Sequence, residues 1–516
     1  MQQKNPNPLS RILSRLQIGH LWALTIIVGV FIFVNTHPIR PHDFWWHITI
    51  GREILTTGQI PKADIYSYTM AGTPYPSYQA FWLMEVIMFL IYNLGGPVLT
   101  VLAQSLIITL AYALLLWLGR RISGNWRSAA IGVILAAATG IGDWNVRPQA
   151  VTFAIAALFL LAIHEYRQTR RRIWLLVFPL GMIVWVNSHG TFPLGLFLIG
   201  CWIVDEGWAL LQDNKLTWQN ARRALQTPLL VFVVTVAACI VSPRGVGTFV
   251  YVSGMSTNAI VQNMVTEWAA PSFDTLVGQL FLGTLLLSAA ILAVSPKRPT
   301  PSQLLTFLAF SVLGLHTLRG SIWFGLTMAP ILAEHVERIS ESVKERLGER
   351  ARKPGQQISN VKLQNTLNLL LAGLLLLGAF VSLPWFKALW PLSSDKAGLI
   401  SAETPVAATE FLLRERPPNN LFHAMGFGSY LIWAAHPAYP VFVDPRIELY
   451  TAELWLDYIS LSTAAPGWEE RLDQYGIQTL MLNPEEQMGL LNATRESGQW
   501  DEIYTDSASV ILTRKN

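Results

Sequence analysis

Charge is scarce in this chain, and cysteine is scarcer. Only 14% of its 516 residues are Asp, Glu, Lys or Arg, where a soluble protein carries roughly a quarter, so a fully aqueous surface is excluded. The two cysteines, Cys201 and Cys239, lie in separate apolar runs and read as small packing residues. They leave no disulfide scaffold and no thiolate metal site. No HExxH or paired-Cys pattern occurs, and the histidines His42, His47, His189 and His316 have no ligand spacing, so no metal site is expected. Walker and GxGxxG loops are absent, which sets aside ATP-driven and dinucleotide chemistry. A serine nucleophile elbow is missing as well. The net charge is +4, with the basic residues in short clusters between apolar runs. That pattern is a topology signal rather than a nucleic-acid surface.

Long apolar runs are abundant. Twelve can be read, at 19–36, 77–95, 98–118, 127–141, 149–165, 173–188, 190–211, 227–242, 277–295, 302–316, 319–335 and 364–384, most near the length that crosses a bilayer. The spacing predicts a polytopic α-helical membrane protein. Lys4, Arg11 and Arg15 precede the first run without a small-residue cleavage pattern, so that run is expected to be a retained span. Basic loops at 119–127, 166–174, 221–224 and 295–299 and the charged segment 334–353 fall on one face if the runs after 98–118 alternate strictly. The basic N-terminus joins that cytoplasmic face only if one early run does not cross. The run 77–95 carries Gln79 and Glu85, costly in hydrocarbon. It is expected to be a re-entrant or interfacial helix, leaving about eleven spans. From about residue 400 the composition changes to that of a soluble α/β unit: "NLFHA", "YPVFVD", "IQTLML" and "SVILTR" read as strands, with helical stretches between them. The expected division is a membrane-embedded domain, 1–395, and an extracytoplasmic α/β domain, 396–516.

This topology sorts the polar residues. The inner loops hold plain Arg and Lys clusters. The outer loops hold "RPHDFWWHITIGREIL" with His42, Asp43 and His47, "GIGDWNVRPQ" with Asp143 and Arg147, "WVNSHG" with Asn187 and His189, "TEW" with Glu267 and Trp268, and "HTLRGS" with Arg319. Arg147 and Arg319 stand on the wrong side for the positive-inside bias, which makes them candidates to bind an anion. Each residue also has a plainer reading. Asp43 beside tryptophans suits a helix N-cap, Trp45 and Trp46 suit interface anchors, and His189 suits a satisfied core histidine.

The stretch from "HDFWWHITIGREILTTGQIPKADIYSYTMAGTPYPSYQAFW" to "LGG" resembles the GT-C class of integral-membrane glycosyltransferases. Within it the chain is similar to protein mannosyltransferases, lipid A aminoarabinose transferases and rhizobial lipopolysaccharide glycosyltransferases. The matching positions are Asp43, Gly58, Pro61, Asp64, Ser67, Gly72, Pro74, Trp82, Glu85 and Gly95. An Asp-Glu pair and the His-Pro-Pro or Lys-Pro-Pro segments are lacking, which leaves the acceptor open. The resemblance implies a sugar donor on a polyprenyl phosphate and Asp43 as catalytic base. Transfer to a glycan, lipid or protein acceptor would then occur at the outer face of the cell membrane. Arg147 and Arg319 are the candidates for the donor phosphate, with His189, His42 and Asn187 as hydrogen-bonding helpers and Glu85 or Asp143 as a second acidic group. A need for a divalent metal stays open. The alternatives are a GT-C-like scaffold without catalysis and a secondary transporter, although transport would want inverted repeats with interrupted helices.

Overall fold

The computed structural model describes residues 17–212, 217–258, 260, 266–348, 361–389 and 398–515. Lys4, Arg11 and Arg15, the end of the charged segment 334–353 and the 395/396 boundary lie outside them. Helices dominate the first three quarters: α1 (Ile18–Thr36), α2 (Phe44–Thr57), α3 (Tyr78–Ser123), α4 (Trp126–Gly140), α5 (Ala150–Thr169), α6 (Val177–Val186) and α7 (Phe192–Gln212). They continue as α8 (Trp218–Ala238), α9 (Gly247–Ser256), α10 (Leu276–Val294), α11 (Pro301–His316), α12 (Gly320–Gly348) and α13 (Val361–Val381). Among the described residues, seven helices are long and apolar enough to cross a membrane, and α6 with its preceding 3-10 turn and α11 are shorter apolar helices. Side-chain caps set several starts: Asn125 accepts from the Arg127 amide at 2.9 Å, and Thr300 with Gln303 closes a capping box around Pro301.

The bundle is held by close backbone approach. A Cβ on Gly132 of α4 would lie 2.3 Å from the Ala329 carbonyl oxygen of α12, so only glycine lets these helices meet there. Aromatic rings fill the rest, with Trp185 stacked on Trp323 at 5.7 Å. One boundary departs from expectation. The charged segment after residue 334 continues α12 as helix to Gly348 rather than forming a loop, because Glu, Lys and Arg favour helix and pair along it, as Arg338 does with Glu341 at 2.9 Å.

The 46 residues of α3 would span about 70 Å if straight, more than twice a bilayer core. They do not run straight. Gly95 and Gly96 leave helical geometry, and Gly96 sits at φ 58°, ψ −150°, a region essentially open to glycine alone. The half before the break lies along α2: Glu85 bonds His47 there at 2.9 Å.

Beyond α13 come α14 (Val406–Glu415), β1 (Leu421–His423), α15 (Met425–Ala434), α16 (Ala452–Ser462), α17 (Trp468–Gln474), β2 (Thr479–Leu482), α18 (Met488–Ser497), β3 (Trp500–Thr505) and β4 (Val510–Arg514). The sheet order is β1-β2-β4-β3, with β1 parallel to β2 and the other pairs antiparallel. "YPVFVD" does not join the sheet. Its Val441 instead exchanges backbone bonds with Tyr66 and Tyr68 of the 37–76 loop, at 3.0 and 3.1 Å. The edge strand β3, "WDEIYT", escapes a search for apolar runs because its middle residues face solvent.

The α/β unit and the 37–76 loop share one core, in which Trp46, Ile50, Ile54, Tyr66, Tyr75 and Tyr78 pack with Phe422, Phe427 and Val443. The two tryptophans are therefore core residues rather than interface anchors. Trp45 is fully buried between Tyr430, Trp433 and Tyr92, and Trp46 is 4% exposed. Ile39 pairs with the returning chain at Leu399 and Ser401 through two backbone bonds of 2.9 Å. The loop is thereby held on both sides, and that fixes α2 and the residue that begins it.

Candidate functional site

Asp43 occupies the N-cap position of α2, yet its side chain makes no capping bond. The amide of Trp46, which a cap would satisfy, donates instead to Ser429 Oγ of α15 at 3.0 Å. The α/β unit thus caps α2 from outside and leaves the Asp43 carboxylate free of that duty. It lies 2.7 Å from Arg147 Nε.

Arg147 follows the 3-10 turn Ile141–Asp143 between α4 and α5. Its second arm donates to both oxygens of Glu267, at 2.6 and 2.8 Å. Glu267 in turn accepts from Arg319 Nε at 2.6 Å. Backbone bonds hold that corner together: the Arg319 amide donates to the Glu267 carbonyl at 3.1 Å and the Leu318 amide to Ala269 at 2.9 Å. Four loops, far apart in sequence, therefore contribute one continuous row, Asp43–Arg147–Glu267–Arg319. The row is open to one side, with side-chain exposure rising from 13% at Arg147 and 18% at Asp43 to 31% at Arg319.

The electrostatics follow from this crowding. Burial works to raise the Glu267 carboxyl, but the Arg319 and Arg147 guanidiniums overrule it and hold it at about 2. Burial also works against the Arg147 charge, and Asp43 and Glu267 outweigh it, so the guanidinium is held above its ordinary value. Asp143 is buried beside them. Burial first, then the Glu267 charge, push it up to about 7 against the pull of Arg319 and Arg147. His189, buried and close to Arg319, His47 and Arg147, is held down at about 3 and is neutral at physiological pH. Its Nδ1 lies 3.0 Å from the Thr191 hydroxyl.

Of the residues singled out in the sequence, Asp43, Arg147 and Arg319 share the row, and Asp143 and His189 lie within its field. Asn187, Glu85 and His42 do not join it. Asn187 is buried, with its amide spent on Trp82, Ile183 and Val241 at 2.7–2.8 Å. Glu85 is fully buried against His47, whose imidazole burial holds well below its ordinary value. His42 turns toward the α/β unit, where a Cβ on Gly426 would meet its Nδ1 at 3.4 Å. Glu267 joins the row without having drawn a role from sequence. Its signal is an acidic residue beside Trp268 in a loop expected on the same face as two arginines, Arg147 and Arg319, that need acidic partners. Among the described residues no group of three or more metal-ligating side chains converges.

No family model and no curated protein matches this sequence. Solved structures do. An oligosaccharyltransferase from Archaeoglobus fulgidus, tethered to an acceptor peptide containing the NVT sequon, aligns over 96% of this chain and 74% of its own, with a TM-score of 0.54 and 11% identity. The AglB oligosaccharyltransferase of the same organism, in complex with an inhibitory peptide and a dolichol-phosphate, aligns over the same shares with a TM-score of 0.52. ArnT from Cupriavidus metallidurans in the apo state aligns over 96% of this chain and 97% of its own, with a TM-score of 0.52 and 13% identity. The chain has the GT-C fold. At this identity the likeness establishes architecture alone.

Proposed function

We propose that this chain is an inverting glycosyltransferase that moves a sugar from a polyprenyl-phosphate donor to a glycan, lipid or protein acceptor at the outer face of the cell membrane. The observation that carries it is the Asp43 carboxylate, not spent on capping α2 and joined through Arg147 and Glu267 to a guanidinium, Arg319, that donates among the described residues from Nε alone. In this reading Arg319 takes the donor phosphate through its terminal nitrogens, in the planar geometry that suits phosphate oxygens. Arg147 keeps Asp43 in place. The acceptor hydroxyl attacks the anomeric carbon while Asp43 takes its proton. The carbon–oxygen bond to the phosphate breaks, and the polyprenyl phosphate leaves with the electron pair. Fixed cations facing that developing charge need no reorganisation during the step. Asp143, pushed up to about 7 and so partly protonated at neutral pH, donates a hydrogen bond in its protonated form, and neutral His189 is a second polar contact for sugar or acceptor. That a relative of this fold was solved with a dolichol-phosphate supports a lipid-linked donor.

The same reading sets the first half of α3 along the outer face, which leaves about eleven crossings, a cytoplasmic N-terminus and an outer α/β domain from about residue 396. Support comes from both ends of that half-helix. Tyr78 accepts a hydrogen bond from Arg446, and Tyr92 packs on Trp433 at 5.4 Å, and both partners belong to the α/β unit. A reporter fused after residue 96 that reads cytoplasmic would contradict this placement. The function is tested by incubating the purified chain with a panel of polyprenyl-phosphate sugars and following release of polyprenyl phosphate. Acceptor-dependent release from at least one donor is expected. Solute flux in proteoliposomes without any such donor would favour transport instead.

A further inference from the structure

At the end of the bundle opposite Asp43, two adjoining cavities open between helix ends. The larger, about 740 Å³, lies among α3, α5, α7, α11 and α12. The smaller, about 390 Å³, is lined by Tyr166, Arg170, Trp202, Arg223, Thr227 and Pro228, among others. Arg170, Trp202 and Glu206 line both, and Glu206 is neutralised there by Arg167 at 3.1 Å. The 20 residues of α5 place Arg170 about 30 Å from the Asp43 row.

The charges here are mostly accounted for in pairs. Arg121 holds Glu165 at 2.8 Å, Arg167 bonds Glu206 at 3.1 Å and Asp205 at 3.3 Å, and Lys297 pairs with Glu334. Of the cations that line the two cavities, two are left over among the described residues. Among the described residues neither Arg170 nor Arg223 has a carboxylate partner, and Arg170 is only stacked over the Tyr166 ring at 5.7 Å. Arg170 also closes α5 at φ 55°, a conformation that favours glycine or asparagine. The position keeps an arginine at some backbone cost.

We infer that the smaller cavity binds the phosphate of an anionic phospholipid between Arg170 and Arg223, with an acyl chain running over Pro228 and Leu210 toward the lipid-facing side. This rests on the reading above, which puts this end in the inner leaflet. Two unpaired guanidiniums supply the anion recognition, aromatic walls at Tyr166 and Trp202 suit the headgroup level, and basic pockets between helices on this side of a membrane attract acidic lipids. A free phosphate ion shares the headgroup chemistry but lacks the tail.

The test uses the full chain in nanodiscs containing phosphatidylglycerol and phosphatidylcholine, with bound lipid counted by native mass spectrometry after detergent release. The wild type should retain phosphatidylglycerol in preference to phosphatidylcholine. The double variant Arg170→Gln, Arg223→Gln should lose that retention roughly 10- to 30-fold, while Arg170→Lys, Arg223→Lys should keep most of it. Arg338→Gln, on the same end but outside both cavities, should change nothing. Equal retention of the two lipids, or an unchanged double variant, would overturn the inference. Displacement of phosphatidylglycerol by inorganic phosphate at equal concentration would identify a free-anion site and overturn the lipid assignment. Lipid retention is read without any sugar transfer, so its failure is distinguishable from failure of the transferase reading.

Discussion

The loop that follows α1 carries two aspartates, each paired with an arginine from a distant part of the chain, and their fates differ. Asp64 meets Arg446 at 2.5 Å with neither side chain exposed at all. Arg446 is also held by Asp444 at 2.5 and 2.8 Å and donates to the Tyr78 hydroxyl, while Tyr450 donates to Asp444. Asp64 accepts further bonds from the Ser67 amide at 2.9 Å and its hydroxyl at 2.6 Å. That network is closed. The Asp43 row is built from the same groups but is part-exposed and ends in an arginine whose terminal nitrogens have no partner among the described residues. Identical ion-pair chemistry thus serves as a rivet where every lone pair is used, and in the proposed reading as a receptive site where some are not.

Breaking the rivet should have the largest effect. Arg446→Met leaves Asp64 and Asp444 buried without their cation, and losing one partner of a buried pair typically costs about 3–5 kcal/mol. The α/β unit should come off the 37–76 loop, seen as a large fall in melting temperature and rapid proteolysis near residue 400. A variant that melts like the wild type would mean that the network is not what docks the two parts. At the open row, Arg319→Gln should leave melting nearly unchanged and raise the KM for donor about 10- to 100-fold, the loss of a charge-assisted contact. An unchanged KM would remove Arg319 from donor binding.

The last expected effect is one of pH. Asp143 holds its proton up to about 7, above the ordinary carboxylate value of 3.8, so the folded chain binds that proton more tightly than the unfolded chain. Its contribution to stability is therefore lost progressively as pH rises between about 4 and 7. Asp143→Asn should gain on the wild type across that window and match it below. Parallel melting curves would show that the carboxyl does not titrate as its surroundings imply.

The same contrast explains what could be read in advance. The apolar runs mark the helices because length and hydropathy are local properties. Arg147 and Arg319 stand out because the alternation of apolar runs predicts them on the face away from the basic loops, and that is visible in a linear count. Partners are not. Nothing local distinguishes Asn187, spent on three protein groups, from a free amide, or tells that Ser429 caps α2 and releases Asp43. Glu267 was seen but drew no role, because its meaning comes from two arginines that lie 120 and 52 residues away. The strand-like run "YPVFVD" was diverted by the same loop, whose backbone competes successfully for its hydrogen bonds.

The proposed chemistry turns on Asp43 as the base. The direct measurement is single-turnover transfer from the best polyprenyl-phosphate donor by wild type and Asp43→Asn, with melting temperatures recorded alongside. The two proteins should melt alike, and the variant's rate should be lower by about 10²- to 10⁴-fold. Transfer by Asp43→Asn at the wild-type rate would contradict it.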